Sequence, residues 1–284
     1  MKLVSFISSG RPGYGVAKAG GVIDLGSRLG DRWATLRALI AADGLAEAQR
    51  IARDVAPDCQ LEGIELAPVI PNPDKIICVG LNYRDHVEET GRTVTEKPTL
   101  FARFAGSQVG HLQPLVKPKV SDQFDYEGEL AVVIGKEGRH IPSSHALGHV
   151  AGYSCYNEGS IRDWQRHTSQ FLAGKSFAGT GGFGPWLATA DEIPDPSRLT
   201  LETRLNGQVV QHTTTDLMIT PIPELIAYIS TILPLLPGDV IVSGTCGGVG
   251  WRRNPPLFMR PGDVAEVEIS GIGTLKNPVV AEAG

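Results

Sequence analysis

The chain has 284 residues with 34 Gly and 20 Pro, which fits one large domain or two and favours many turns and short strands. Its formal net charge is -5 and no Lys/Arg-rich run occurs, so nucleic acid is not expected as a partner. No stretch approaches the roughly 18 apolar residues of a membrane-spanning helix, and the N-terminus lacks a signal-peptide core, so no membrane partner is expected.

The first part of the chain predicts a small α+β unit. Residues 1–25 alternate apolar and polar side chains between glycines, a pattern typical of a small β-meander. Apolar side chains recur at helical spacing over residues 31–55, and Gly44 interrupts them, which predicts two short helices. The Pro-rich segment 68–73 is expected to be extended and to separate two domains.

The predicted boundary gives a small N-terminal domain at residues 1–70 and a β-rich domain at residues 71–284. Asn206-Gly207 lies between two alternating runs and predicts a hairpin turn. One convincing helix is expected over residues 222–233. The strand-like runs of the larger domain are 76–79, 99–104, 130–134, 199–205, 240–243 and 264–269.

Three glutamates suggest a metal site. Glu127 and Glu129 stand two residues apart at the entrance of an apolar strand, so both side chains point to one face, where a divalent cation would relieve their repulsion. A solvated edge with two surface acids is the competing interpretation. Glu158, at the end of another strand-like run, would supply a third oxygen. Such a site suits Mg²⁺, Mn²⁺ or Ca²⁺ better than Zn²⁺ and leaves positions for water and substrate.

Five motifs in order resemble the fumarylacetoacetate hydrolase family from about residue 72 to the C-terminus. They are CVGLNYRDH at 78–86, YEGEL at 126–130, NEGSIRDWQ at 157–165, GKSF at 174–177 and SGTCGGVG at 243–250. Segments 108–116 and 162–171 look like the bacterial subgroup that includes acylpyruvate and diketo-sugar-acid hydrolases.

The resemblance implies an α+β fold with a mixed β-sandwich roll, a homodimer and a bound Mg²⁺ or Mn²⁺. It assigns the metal ligands to Glu127, Glu129 and Glu158. Family members commonly carry Asp at the third position, and the extra methylene of Glu158 moves the carboxylate by roughly 1.5 Å. They also usually have Pro where this chain has Cys246, so a more flexible loop and a reactive thiol are both conceivable there.

The resemblance also implies a catalytic dyad. His86 and Glu89 stand three residues apart on a short helix that Asn82 is expected to cap and Gly91 to end. A carboxylate beside an imidazole fixes its tautomer and raises its basicity, as a general base requires. A surface ion pair is the alternative for this spacing, but the family carries a His–Glu dyad on a mobile lid at this place.

Four further residues are candidates for the substrate. The resemblance implies that Lys175 reaches into the site, where it would stabilise an enolate or bind a carboxylate. Gln165 is a candidate substrate contact, and Arg103 is a weaker candidate for a substrate carboxylate. Thr245 lies in a glycine-rich turn whose backbone N–H groups would approach an anionic ligand. Arg162 and Asp163 are expected to form a structural pair beneath the site.

Two other signals carry no function. Cys59, Cys78, Cys155 and Cys246 lie far apart with no CxxC pair, so reduced thiols in the cytoplasm are expected rather than disulfides or structural zinc. The GxGxxG match at residues 179–184 precedes Pro185 and follows no clear strand, so it does not predict a dinucleotide site.

These observations predict a divalent-metal-dependent hydrolase that cleaves a C–C bond in a 2,4-dioxo acid to give pyruvate and a second acid. The same site would also support oxaloacetate decarboxylation or tautomerisation, or isomerisation of a 2-hydroxy-dienedioate. A non-catalytic, metal-stabilised binding protein stays open because of Glu158 and Cys246.

Overall fold

Strands dominate residues 1–283, the part of the chain that the computed structural model describes. The strands are β1 (Lys2–Ser8), β2 (Arg11–Lys18), β3 (Gly21–Asp24), β4 (Cys59–Gln60), β5 (Glu65–Leu66), β6 (Ile76–Gly80), β7 (Thr99–Arg103), β8 (Gln108–Val109), β9 (Leu115–Lys117), β10 (Phe124–Asp125), β11 (Gly128–Ile134), β12 (Val150–Glu158), β13 (Ser160–Ile161), β14 (Gly181–Thr189), β15 (Thr200–Leu205), β16 (Gln208–Thr214), β17 (Val240–Thr245), β18 (Val264–Ile269) and β19 (Gly273–Ala281). The α-helices are α1 (Gly26–Leu29), α2 (Leu36–Ala41), α3 (Leu45–Ala52), α4 (Arg84–Glu89), α5 (Arg162–Gln165), α6 (Leu172–Lys175) and α7 (Ile222–Ile232). None of these helices is long and apolar enough to cross a membrane.

Two large sheets build the fold. A 12-stranded sheet has the order β4-β3-β2-β1-β14-β12-β11-β17-β6-β7, with β5 beside β1 and β8 beside β14. A 5-stranded sheet has the order β16-β15-β18-β19-β9. Most pairs are antiparallel, but β6 with β17, β8 with β14 and β9 with β19 are parallel. The predicted α+β class and mixed β-sandwich roll are confirmed.

The centre of the large sheet is buried on both faces. Every residue of β11 and β12 is buried, as expected for strands covered on both sides. Leu130 and Val132 pack into a core that includes Leu201 and Val267 of the 5-stranded sheet, whereas Ala131 and its neighbours on the other face pack into a second core. Because successive side chains of a strand point to opposite faces, β11 fixes both layers of the sandwich.

The N-terminal strands extend this same sheet. β1 pairs with β14, and Leu3 and Leu25 share a core with Ala131 and Val242 of the larger part. The predicted meander and the two helices around residue 44 are present as β1 to β3 and as α2 and α3. The domain boundary at residue 70 stays a prediction, but the two parts are not separate in their packing.

The hairpin prediction is confirmed, whereas two nine-residue strands, β14 and β19, have no counterpart among the predicted runs. β15 and β16 meet at Asn206 and Gly207, whose φ angles of 53° and 76° suit a tight hairpin turn. The glycine-rich segment near residue 181 is the start of β14. A Cβ at Gly181 would lie 2.8 Å from the Tyr156 hydroxyl, so close packing rather than flexibility explains that glycine.

Candidate active site

Glu127, Glu129 and Glu158 meet at one end of two paired strands. Glu127 directly precedes β11, Glu129 is the second residue of β11, and Glu158 ends β12. The antiparallel register places Gly128 opposite Asn157, so the start of β11 lies beside the end of β12. All three carboxylates are buried, and each offers an oxygen within 4.8 Å of the others. Strand pairing therefore brings together three residues that are distant in sequence.

Two buried cations contact these carboxylates. The Lys175 ammonium lies 2.5 Å from Glu127 Oε2 and 3.0 Å from Glu158 Oε2. Arg162 places Nη2 2.7 Å from Glu127 Oε1 and donates from Nε to Asp125 Oδ2 over 2.8 Å. Asp125 is fully buried, so Arg162 joins a fourth carboxylate to the cluster.

The predicted pair between Arg162 and Asp163 does not form. Adjacent residues of a helix point in different directions, and Arg162 turns to the acidic cluster. Asp163 instead accepts hydrogen bonds from the Ser121 hydroxyl over 2.6 Å and from the Trp164 backbone N–H over 3.1 Å.

The environment drives the pKa values of Glu127 and Glu129 in opposite directions. Burial alone would raise the pKa of Glu127, but Arg162 and Lys175 outweigh burial and hold that pKa below its ordinary value. Burial raises the pKa of Glu129 well above its ordinary value, and the charges of Glu158 and Glu127 raise it further. Glu129 is therefore the carboxylate whose charge is least compensated by protein groups.

The donor set fits a divalent cation. Four buried carboxylates (Asp125, Glu127, Glu129 and Glu158) face two buried cationic side chains, which leaves a negative excess. Within residues 1–283, Glu158 Oε1 is buried and has no hydrogen-bond partner, a costly arrangement that a metal ligand would avoid. Three carboxylate oxygens form a hard site that suits Mg²⁺, Mn²⁺ or Ca²⁺.

His86 and Glu89 form the dyad that the sequence predicted. His86 Nδ1 lies 2.7 Å from Glu89 Oε1, and the second oxygen of Glu89 accepts a hydrogen bond from Gly248 N–H over 2.9 Å. Glu89 is thus held from two sides and holds the imidazole in turn. His86 lines the same cavity as the three glutamates, which leaves Nε2 as the ring nitrogen for proton transfer.

The helix that carries the dyad begins differently from the prediction. Tyr83 precedes α4, and Asn82 does not cap it. The Asn82 amide instead donates to the backbone oxygens of Thr220 and Ser243 and accepts from Thr220 N–H, which ties the start of α4 to β17. Gly91 follows α4 with a φ of 68°, as predicted for a helix stop.

The three glutamates of the cluster and His86 line one cavity of about 620 Å³, including its mouth. Lys175, Gln165 and Thr245 also line this cavity. Gln165 Oε1 accepts from Arg162 over 3.0 Å, which leaves the Gln165 amide N–H₂ for a substrate. The Thr245 hydroxyl is already engaged, since it donates to Gly128 O over 3.0 Å and accepts from Gln211 over 2.8 Å.

Arg103 is placed away from this cavity. Its buried guanidinium donates to the Ser107 hydroxyl, to Gly159 O and to the Thr180 hydroxyl over 3.2, 3.0 and 2.8 Å. These contacts hold the backbone after Glu158 in place. The prediction that Arg103 binds a substrate carboxylate therefore finds no support in its position.

The glycine-rich segment 244–250, which begins at the end of β17, donates backbone hydrogen bonds to carboxylates of the protein itself. Gly244 N–H donates to Glu129 over 2.5 Å, Gly248 N–H to Glu89 over 2.9 Å and Gly250 N–H to Asp125 over 2.8 Å. This one segment thus orients a proposed metal ligand (Glu129), the acid of the dyad (Glu89) and Asp125. The expectation that its amides approach an anionic ligand stays a prediction.

Cys246 in this loop is not a reactive thiol. It is fully buried, and burial raises the pKa of its thiol to about 12, with Asp85 adding to the effect. A thiol in this environment stays protonated and unreactive at neutral pH.

The sequence analysis missed Asp125 and the aromatic walls of the cavity. Asp125 stands two residues before Glu127, the same spacing that predicted a shared face for Glu127 and Glu129. Phe101, Phe171 and Trp251 also line the cavity, but they come from separate elements and carry no sequence pattern that joins them.

This fold and this acidic site, whose three glutamates could hold a metal ion, define an enzyme of the fumarylacetoacetate hydrolase family. Residues 75–280 match the model described as Fumarylacetoacetate (FAA) hydrolase C-terminal, which covers most of the chain, and the chain belongs to that family.

The human mitochondrial protein named oxaloacetate tautomerase FAHD2A is 45% identical over 217 residues, covering 76% of this chain and 69% of the relative. Two solved structures match 100% of both chains. A putative HpcE protein from Mycobacterium smegmatis has a TM-score of 0.91 at 36% identity, and a maleylpyruvate hydrolase from Sphingobium, in complex with manganese and pyruvate, has 0.83 at 27%.

Proposed function

We propose that the protein is a Mg²⁺- or Mn²⁺-dependent enzyme that interconverts the enol and keto forms of oxaloacetate or a closely related 2-oxo acid. The observation that carries this proposal is that His86, whose imidazole is held by Glu89, lines the same cavity as the three-glutamate site. The identity of 45% with a relative named oxaloacetate tautomerase supports this choice of reaction.

Glu127, Glu129 and Glu158 would hold the cation, which supplies electrophilic polarisation of a 2-oxo group when bound. His86 transfers a proton at C3 of the substrate through Nε2, and Glu89 fixes the imidazole for that transfer. The Lys175 ammonium balances negative charge that develops on the C2 oxygen. The enol O–H loses one proton and C3 gains one, so the reaction consumes no water and no second substrate.

The second candidate is hydrolysis of a 2,4-dioxo acid. It is favoured by the double anchoring of Glu89, which suits a dyad that must deprotonate a water, and by the similarity to a maleylpyruvate hydrolase. Here His86 takes a proton from water, and the hydroxide attacks the distal carbonyl. The C3–C4 bond breaks with its electron pair on C3 as pyruvate enolate, which takes the proton from His86, so that the products are pyruvate and a second acid. This candidate needs the same residues and one additional reactant.

One assay set separates the two. The decay of the enol absorbance of oxaloacetate reports tautomerisation, pyruvate from acylpyruvates reports hydrolysis, and pyruvate from oxaloacetate reports decarboxylation. Each is measured with Mn²⁺, with Mg²⁺ and with EDTA. Metal-dependent enol decay without pyruvate supports the proposal. Pyruvate release from acylpyruvates without enol decay would contradict tautomerisation and favour hydrolysis. Inactivity in every assay would favour a non-catalytic binding protein.

The assembly and the compartment stay predictions. The homodimer, expected from family resemblance, is checked by light scattering of the purified chain. Residence in the cytoplasm is checked by fractionation, and the mitochondrial name of the human relative makes an organelle the alternative to exclude.

A further inference from the structure

Two arginines at the mouth of the cavity have no function in the proposed proton transfer. Arg92 follows α4 and Arg166 follows α5, and both line the same cavity as the three glutamates. Both side chains are exposed, whereas Arg162 and Lys175 at the floor are buried. The cavity therefore has an acidic floor and a basic mouth.

Within residues 1–283, neither Arg92 nor Arg166 forms an ion pair. The arginine ion pairs of this part of the chain involve Arg28, Arg32, Arg162, Arg198 and Arg204. Arg92 instead stacks on the Phe171 ring, with Cζ 5.3 Å from the ring centroid. Arg166 stacks on Trp251 at 5.1 Å and donates one hydrogen bond, to Gln123 over 3.1 Å. Aromatic stacking orients a guanidinium while leaving its N–H edges available to a planar anion.

The aromatic walls connect the mouth to the floor. Phe171 packs edge-on against Phe101, with ring centroids 5.6 Å apart. The Lys175 ammonium lies 5.2 Å from the Phe101 centroid and contacts two of the glutamates. On the other wall, the Trp251 ring has the guanidinium carbons of Arg166 and Arg162 within 5.1 and 5.8 Å of its centroid, and Arg162 binds Glu127. The glutamates and the two mouth arginines thus belong to the lining of one cavity.

We propose that Arg92 and Arg166 form a subsite for a second, distal carboxylate, so that the enzyme selects dicarboxylic 2-oxo acids. The inference rests on the proposed function, which places the 2-oxo acid end of the substrate at the floor. The distal carboxylate then lies between guanidiniums that have no other anionic partner. Guanidinium–carboxylate hydrogen bonds are charge-assisted, but exposure limits their effect, so about a 10-fold gain in affinity is expected.

The test compares pairs of ligands with and without a free distal carboxylate. Oxaloacetate and its 4-methyl ester are the reactive pair, and L-malate and L-lactate are unreactive ligands for calorimetry on the Mn²⁺-loaded protein. In the double variant Arg92→Gln/Arg166→Gln, the KM for oxaloacetate and the Kd for L-malate should rise about 10-fold. The values for the ester and for L-lactate should change by less than about 2-fold.

Matched variants separate charge from structure. Arg50 is exposed on α3, does not line this cavity and forms no ion pair in the described chain, so Arg50→Gln should leave all four values unchanged. Arg166→Lys keeps the positive charge and should retain part of the preference for L-malate. Each single Gln variant should carry part of the effect.

Equal changes for both members of each pair, or no change in the double variant, would overturn the subsite. A single variant that reproduces the whole effect of the double variant would overturn the pairing of the two arginines. Failure of the proposed function has a different signature, because the wild type would then turn over neither oxaloacetate nor its ester. The comparison of L-malate with L-lactate still tests the subsite in that case.

Discussion

At the scale of single residues, the site is a set of charges that the protein does not balance by itself. Glu127 is compensated by Arg162 and Lys175, whereas Glu129 receives one short hydrogen bond from Gly244 N–H and Glu158 keeps one oxygen without a partner. An uncompensated buried carboxylate is costly unless a cation approaches it. The unfavourable free energy of burying these carboxylates is therefore greatest at the place where the proposed ion would bind.

Replacing Glu158 by Gln should abolish most of the metal binding. The substitution removes a ligand charge, so Mn²⁺ affinity should fall by more than the roughly 10- to 100-fold typical of losing an outer-shell partner. Titration calorimetry measures this loss. The control is Glu158→Asp, which keeps the carboxylate that the family commonly has and should retain most of the affinity. Equal affinity in wild type and Glu158→Gln would remove Glu158 from the ligand set.

His86→Ala and Glu89→Gln should differ in their kinetics. Loss of the general base should lower kcat by roughly 10²- to 10⁴-fold, whereas Glu89→Gln keeps the hydrogen bond to Nδ1 and should lower kcat less. Steady-state kinetics on enol-oxaloacetate measure both, with Mn²⁺ affinity as the control because neither residue is a proposed ligand. Unchanged kcat in His86→Ala would exclude the dyad from the rate-limiting step.

Among the secondary-structure elements, the segment 244–250, which spans the end of β17 and the loop that follows, organises the site. Its backbone amides bind Glu129, Glu89 and Asp125, which belong to β11, α4 and β10. A loop that binds three separate elements through backbone groups needs a close approach and little side-chain volume, which explains its glycines.

Gly250→Ala should destabilise this arrangement. A Cβ at Gly250 would lie 1.8 Å from Leu257 O and 2.5 Å from Asp125 Oδ1, so the loop must shift away from Asp125. We expect a loss of about 1–3 kcal/mol in the free energy of unfolding, measured by denaturant titration, together with weaker catalysis. Gly148→Ala is the control, because its Cβ would meet nothing within 4 Å. Equal stability of the two variants would contradict this account of the loop.

Across the molecule as a whole, the three-glutamate cluster lies at one end of the strands on which both layers of the fold pack. The central strands β11 and β12 carry the glutamates at one end and core residues of both layers along their length. Anything that binds only the folded cluster should therefore stabilise the entire sheet.

Metal stabilisation should increase with pH. Burial and the neighbouring carboxylates raise the pKa of Glu129 in the folded metal-free protein, so the folded state holds a proton that the unfolded state releases. That contribution is present below the ordinary pKa of about 4.5 and is lost as pH rises towards the raised pKa. The metal-free protein should lose stability from about pH 5 upwards, whereas Mn²⁺ should offset the loss.

Thermal melts with EDTA and with Mn²⁺ between about pH 5.5 and 8 measure this effect as a widening difference in Tm. Glu129→Gln is the matched control, because it removes the titrating group and should flatten the pH dependence of the metal-free protein. A difference in Tm that stays constant with pH would contradict a raised pKa at Glu129.

The family, the central strands and the three glutamates could be predicted from the amino-acid sequence, since each rests on a local pattern. Alternation and apolar runs specify strands such as β11, and the spacing of Glu127 and Glu129 specifies a shared face. The dyad was also readable, because three-residue spacing on a helix is a local property.

The partner of each charged side chain, in contrast, follows from the three-dimensional packing. Arg162 binds Asp125 rather than Asp163, and Arg103 donates to the backbone oxygen of Gly159, which follows Glu158. Arg92 and Arg166 come together in the lining of one cavity. Such contacts join residues far apart in the chain, and burial and desolvation select among many possible partners. Local sequence patterns cannot predict these partners, because the partners depend on which strands lie side by side in the folded sheet.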